Sequence, residues 1–232
     1  MGPRVSDTGR VRSAPKRWMS GAVVMALLGL APSAAANPLS YHEHDGFLLR
    51  LSLGAGSMLL ERDTTGQAVD FDGSSSIEGG AMFAEIVLAT TVWPGVAIGG
   101  SLGNYVQASP VLKVDTDVPR ELAEELTIVL LGPTVEYYPW PSDGWNLAFT
   151  LGRAAADVPA SPGSPVEKLG GDGWGASLAA GHEWWVGDEW SAGVRATMMI
   201  ANLDTETRSE GRLFAEDDLV AGAALVFTLV YQ

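Results

Sequence analysis

Residues 46–58 read GFLLRLSLGAGSM, and the stretch sorts into two faces without forcing a residue. Phe47, Leu49, Leu51, Leu53 and Ala55 share one side, while Leu48, Arg50, Ser52, Gly54 and Gly56 share the other. A period of two is the mark of a β-strand, whose successive side chains leave opposite faces of the pleated backbone. The first face is apolar; the second, Leu48 apart, is polar or small. A soluble sandwich would turn that apolar face to a core. The fold therefore turns on whether later strands repeat the pattern and whether anything in the chain covers the apolar rows.

The pattern recurs seven times. In 80–90, Met82, Ala84, Ile86 and Leu88 oppose Ala81, Phe83, Glu85 and Ala89; in 96–107, Val96, Ile98 and Leu102 oppose Ala97, Gly99, Ser101, Gly103 and Tyr105. Segments 126–138 and 145–155 set Val129, Leu131, Val135, Tyr137, Leu147, Phe149 and Leu151 outward, against Leu130, Gly132, Thr134, Glu136, Ala148, Thr150 and Gly152. Segments 173–186 and 190–201 put Trp174, Leu178, Ala180, Trp184, Val194, Ala196, Met198 and Ile200 out, and Ser177, Gly181, Glu183, Arg195 and Thr197 in. The last, ending at Gln232, sets Leu225, Phe227, Leu229 and Tyr231 against Gly222, Ala224 and Thr228. Pro133 cannot donate to a ladder, so a bulge or a missing bond is expected there.

Long polar connections (61–78, 108–125, 156–171 and 202–218) alternate with short ones (92–95, 139–144 and 187–189), which is the order of an up-and-down meander. Nothing in the chain could cover so many apolar rows. Ahead of them, Arg4, Arg10, Arg12, Lys16 and Arg17 precede the apolar run 21–30, and Ala34, Ala35 and Ala36 supply an A-x-A site, so 1–36 reads as a cleaved secretory signal peptide. Residues 37–45 form a short lead. The fold expected of 46–232 is all-β: an eight-stranded antiparallel up-and-down transmembrane β-barrel, exported to the outer membrane of a Gram-negative-type bacterium. Its first and last strands must pair, because lipid offers no water to a sheet edge. Short turns belong at the periplasmic end and long loops outside. Trp93, Trp140, Trp145, Trp184, Trp185 and Trp190 lie at or beside the short turns, so they are read as one periplasmic aromatic girdle.

Composition narrows the partners. The sequence has no cysteine, which excludes disulfides and thiolate metal sites. Residues 1–36 hold five of the 14 basic residues and one of the 28 acids, so the remainder keeps 9 against 27, net −18, and nucleic acid is not an expected partner. The expected partners are outer-membrane lipid and, during insertion, the barrel-assembly machinery.

From about Gly46 to Gln232 the chain resembles the small outer-membrane barrels of the OmpA/OmpX/OmpW kind. The closing ALVFTLVYQ, apolar at alternate positions with an aromatic near the end, is similar to the assembly signal such barrels present.

Arg50, Glu85, Glu136, Glu183 and Arg195 are the inward charges by register, one from each of five strands. An eight-stranded interior is only wide enough for side chains to fill, so an ion network plugging the lumen is expected, with a structural or surface-interaction role for the protein. The alternative is a narrow channel for ions, small solutes or apolar molecules, in which the same charges act as a filter. Asp63, Asp70, Asp72, Asp115, Asp117, Asp204, Asp217 and Asp218 place much of the acidic excess in the long connections, which suit divalent cations bridging to anionic lipid headgroups. Asp70-Phe71-Asp72-Gly73 lacks the spaced carboxylates of a calcium loop. His42-Glu43-His44-Asp45 could grip a transition metal, but alternate residues in a lead strand lack a third fixed ligand, so no metal and no cofactor are expected. No catalytic motif can be assembled either, and all three histidines, His42, His44 and His182, fall at the periplasmic end, so no enzymatic activity is expected.

Overall fold

A computed structural model describes residues 46–65, 73–114, 120–121, 125–158, 169–209 and 212–232, and the described residues contain strands and turns but no helix. Eight long strands form the wall: β1 (Phe47–Thr65), β2 (Gly73–Trp93), β3 (Val96–Gln107), β6 (Leu126–Tyr137), β7 (Trp145–Val158), β8 (Leu169–Trp185), β9 (Trp190–Ser209) and β10 (Arg212–Tyr231). Two short strands, β4 (Val111–Val114) and β5 (Arg120–Glu121), extend the β3–β6 hairpin beyond a break at Ala108–Pro110. Every pairing is antiparallel, and β1 pairs with both β2 and β10, so the sheet closes on itself.

Closure fixes the tilt. Successive paired residues run from Leu51 through Ile86, Leu102, Leu131, Arg153, Trp174, Asn202 and Leu219, and the circuit re-enters β1 at Glu61, ten residues further on. A shear of ten over eight strands sets a tilt of about 40°. On β8 the outward apolar row runs from Trp174 to Trp184, which at that tilt stands roughly 25 Å tall, the height of a hydrocarbon band. Leu53, Met82, Leu131, Leu178, Met198, Leu225 and Phe227 are each more than half exposed on this outer wall. The exposed rows face lipid, not an uncovered core.

The short turns are local chemistry. Pro94 and Gly95 join β2 to β3, Pro presetting the first turn residue and Gly95 taking φ +75°; Gly144, at the end of the β6–β7 turn, has the same φ. At the opposite end the strands run further than the sequence suggests. The connection between β1 and β2 shrinks to 66–72 and that between β9 and β10 to 210–211, because hairpin pairing continues through polar residues once the ladder is in register. Asp63, Asp204, Asp217 and Asp218 accordingly lie on strands and not in loops. The remaining aspartates named above, Asp70, Asp72, Asp115 and Asp117, together with His42 to Asp45, lie outside the described residues.

Pro133 has the effect its chemistry demands, without a bulge. The β6–β7 ladder lapses across Gly132–Pro133 and Leu151–Gly152 and resumes in the same register at Leu131–Arg153.

The interior is stratified. Toward the long-connection end it is apolar: Met58, Leu60, Phe83, Tyr105, Leu126, Ile128, Leu130, Met199, Leu203 and Val220 form one buried cluster. Toward the short turns it is polar, with a smaller apolar group including Leu48, Val87 and Val230. The polar-or-small inner face seen in 46–58 is thus only the lower half of the lumen; on β1 itself the inward row continues into Met58 and Leu60.

Leu53→Arg, in mid-band, is expected to lower stability by about 2–4 kcal/mol, and Asp204→Arg at the polar outer rim by about 0–1 kcal/mol. Reversible denaturant unfolding in lipid vesicles measures both.

Candidate lumen ion network

Four of the five inward charges meet. Arg50 on β1, from the stretch that opens the fold, ion-pairs with Glu136 on β6 and, at 2.6 Å, with Glu183 on β8. Arg195 on β9 lies 3.6 Å from the second oxygen of Glu136. All four side chains are essentially buried. Alternation forces them inward on four separate strands, and the ten-residue shear brings those positions to nearly one height.

Glu183 is the better solvated of the two acids. Besides Arg50, its carboxylate accepts hydrogen bonds from Asn146 Nδ2 at 2.9 Å, Ser191 Oγ at 3.2 Å and Tyr138 Oη at 3.5 Å, while Arg50 Nη2 also donates to Tyr138 Oη at 2.7 Å. Protein donors thus replace the water that the carboxylate loses, the condition under which a buried charge is tolerable. Tyr138, Asn146 and Ser191 were not singled out by sequence reasoning. Tyr138 could have been, since it is in phase with Glu136; the other two carry no charge to attract attention.

Glu85 stands apart from the network, contrary to the expectation that all five charges meet. Its carboxylate accepts from Ser101 Oγ at 2.8 Å and Ser52 Oγ at 3.4 Å, and among the described residues no arginine pairs with it. On β2 its direct neighbours across the ladder are Ser52 and Gly103, and two serines hold it before an arginine can reach. Thr134 and Thr150 make a further hydroxyl pair at 2.9 Å.

A second inward ion pair closes the long-connection end. Arg62 Nε and Nη2 each donate to Asp218 at 2.7 Å, and Thr205 Oγ1 donates to the same carboxylate at 2.9 Å. Asp218 is fully buried, which corrects its reading as part of a solvated acidic loop. The inner alternation simply continues above the apolar layer.

Of the six tryptophans assigned to the girdle, Trp93, Trp140, Trp145, Trp184 and Trp190 stand exposed on the outer wall beside the short turns. Trp185 does not join them, because it follows an outward Trp184 and so alternates toward the interior, partly buried. His182 lies between Trp145 and Trp184 on the outer wall, with ring centroids 4.9 and 4.6 Å away. Among the described residues no group of three or more His, Cys, Asp or Glu side chains could hold a metal ion.

No family model matches the sequence, and neither does any curated protein. Solved structures do match in fold. The outer membrane protein OprG from Pseudomonas aeruginosa superposes with a TM-score of 0.54 at 10% identity, over 82% of this chain and 98% of that one. The outer membrane protein AlkL, determined in lipid bilayers, gives 0.52 at 13% identity, over 87% and 95%. This likeness is one of fold: the chain is a closed eight-stranded barrel built like small outer-membrane barrels.

Because Glu136 serves both arginines, Glu136→Ala strands buried positive charge and is expected to cost about 3–5 kcal/mol. Glu85→Ala, which strands no arginine, is expected to cost clearly less. Denaturant midpoints of the two variants in the same vesicles test the ordering.

Proposed function

We propose that the protein is an outer-membrane barrel with a closed lumen, acting structurally or through surface interactions at its long-connection end. One observation carries this reading. The inside is filled twice over, by the Arg50–Glu136–Arg195 and Arg50–Glu183 pairs toward the short turns and by fully buried Leu60, Leu126, Ile128, Leu203 and Val220 above them. A water column would have to break buried ion pairs and then wet an apolar layer, and each step opposes conduction.

In this reading the leader 1–36 is cleaved on export, the short turns and Trp girdle face the periplasm, and the polar rim faces outward. Glu61, Asp157, Asp172, Asp204 and Asp217 are exposed at that rim, on five strands. They suit contact with anionic lipid headgroups through divalent cations. Arg153, ion-paired with Asp172 and 5.4 Å over the Trp174 ring, marks the upper edge of the apolar band. The role in this reading is non-enzymatic: Glu136, Glu183 and Asp218 are tied to arginines.

A second reading, passage of apolar molecules, is favoured by the apolar upper interior. Such molecules would enter from outside and leave sideways without crossing the ion network.

Inserted into a planar bilayer, the protein is expected to give no discrete conductance steps at any salt concentration. Stepwise, cation-selective currents from the unaltered protein would sink the closed-lumen reading.

A further inference from the structure

The inner wall holds one uncompensated charge. Among the described residues, Arg50 and Arg195 balance Glu136 and Glu183, and Arg62 balances Asp218. Glu85 is left over, in a wall that faces lipid on its other side. A carboxylate so placed, half-buried and without a cationic partner among the described residues, offers hard oxygens to a cation.

The surroundings of Glu85 are those of a cation site. Thr228, Ser52 and Glu85 lie directly opposite one another across β10, β1 and β2, and Ser101 on β3 is the next inward residue beside them. Ser101 Oγ and Ser52 Oγ stand 2.8 and 3.4 Å from the two carboxylate oxygens. Thr228 is fully buried, and its Oγ1 has no hydrogen-bond partner. A buried hydroxyl left unpaired on the strand beyond Ser52, on the same inner face as the carboxylate, is an oxygen ligand awaiting something. Four adjacent strands thus offer five hard oxygens with a single formal charge.

We propose that Glu85, Ser52, Ser101 and Thr228 bind a monovalent alkali cation within the barrel. The charge selects the class. One carboxylate and three neutral hydroxyls neutralise a single positive charge, whereas a divalent ion would leave an excess and normally recruits several carboxylates. An anion would add to the surplus negative charge. Arg195 is ion-paired with Glu136, 3.6 Å away. The site holds whether or not the barrel conducts, because it needs only the closed wall.

The test is thermal unfolding of the detergent-extracted protein, followed by heat-modifiable gel mobility, with NaCl or KCl exchanged for choline chloride at constant ionic strength. The midpoint is expected to rise and saturate with Na+ or K+ but not with choline, and Glu85→Gln is expected to flatten the dependence. Thr228→Val, which removes one ligand and leaves the carboxylate, is expected to raise the half-saturating concentration about tenfold. That variant decides the matter should Glu85→Gln fail to fold. Equal response to choline, an unchanged titration in Thr228→Val, or a midpoint that responds to no metal ion would each overturn the proposal.

Discussion

Behind an apolar outer wall, a backbone N–H or C=O has no water to turn to, and the pairing of β1 with β10 is what leaves none at an open edge. It joins the first strand to the last over seventeen residue pairs, from Leu49–Tyr231 to Thr65–Ala215. Without it the other seven ladders would still form, but two edges would face hydrocarbon, at a cost of several kcal/mol for each unsatisfied group. Closure also dictates the rest. Eight strands with a shear of ten allow one tilt and one narrow interior, and that interior has to be filled by whatever the inward positions carry.

The filling follows from that narrowness. Long charged side chains from opposite walls reach one another, so Arg50 can touch both Glu136 and Glu183 although the three lie on strands far apart around the ring. Ions so deep are tolerable only when their hydrogen-bonding capacity is met, and Glu183 meets it with four donors. Higher up, no such network is built and aliphatic side chains fill the space instead, which needs no partners at all. The change of chemistry partway up the lumen separates a layer that fixes geometry by hydrogen bonds from one that excludes water by packing.

The sequence made the barrel legible because alternation is a local signal: Leu51 and Phe149 announce their outward direction without reference to any other strand. Which inward residues meet is not local. Arg50 and Glu183 are 133 positions apart, and their contact depends on the shear, which no single segment encodes. That is why Glu85 looked like a member of the charge cluster and is not: being inward and ionised are properties of the residue, whereas being at the same height and within reach of an arginine are properties of the closed ring. The strand ends were misread for a related reason. Polarity marks where the hydrocarbon stops, at Glu61 and Asp204, but ladders outlast it, so Asp218 could sit on an inner wall beyond the apolar band.

Pro133 shows how the same constraint can be relaxed locally. Its missing donor removes rungs, while the inward glycines Gly132 and Gly152 let the two backbones approach so closely that a Cβ on either would lie 2.2 or 2.1 Å from the facing carbonyl oxygen. The register survives because intact rungs flank the lapse, and Thr134 Oγ1 donates to the Phe149 carbonyl at 3.2 Å while accepting from Thr150. Below the lapse the inner wall is Thr134 and Thr150; above it are Leu130 and Ala154. The lapsed rungs therefore coincide with the boundary between the polar and apolar halves of the lumen.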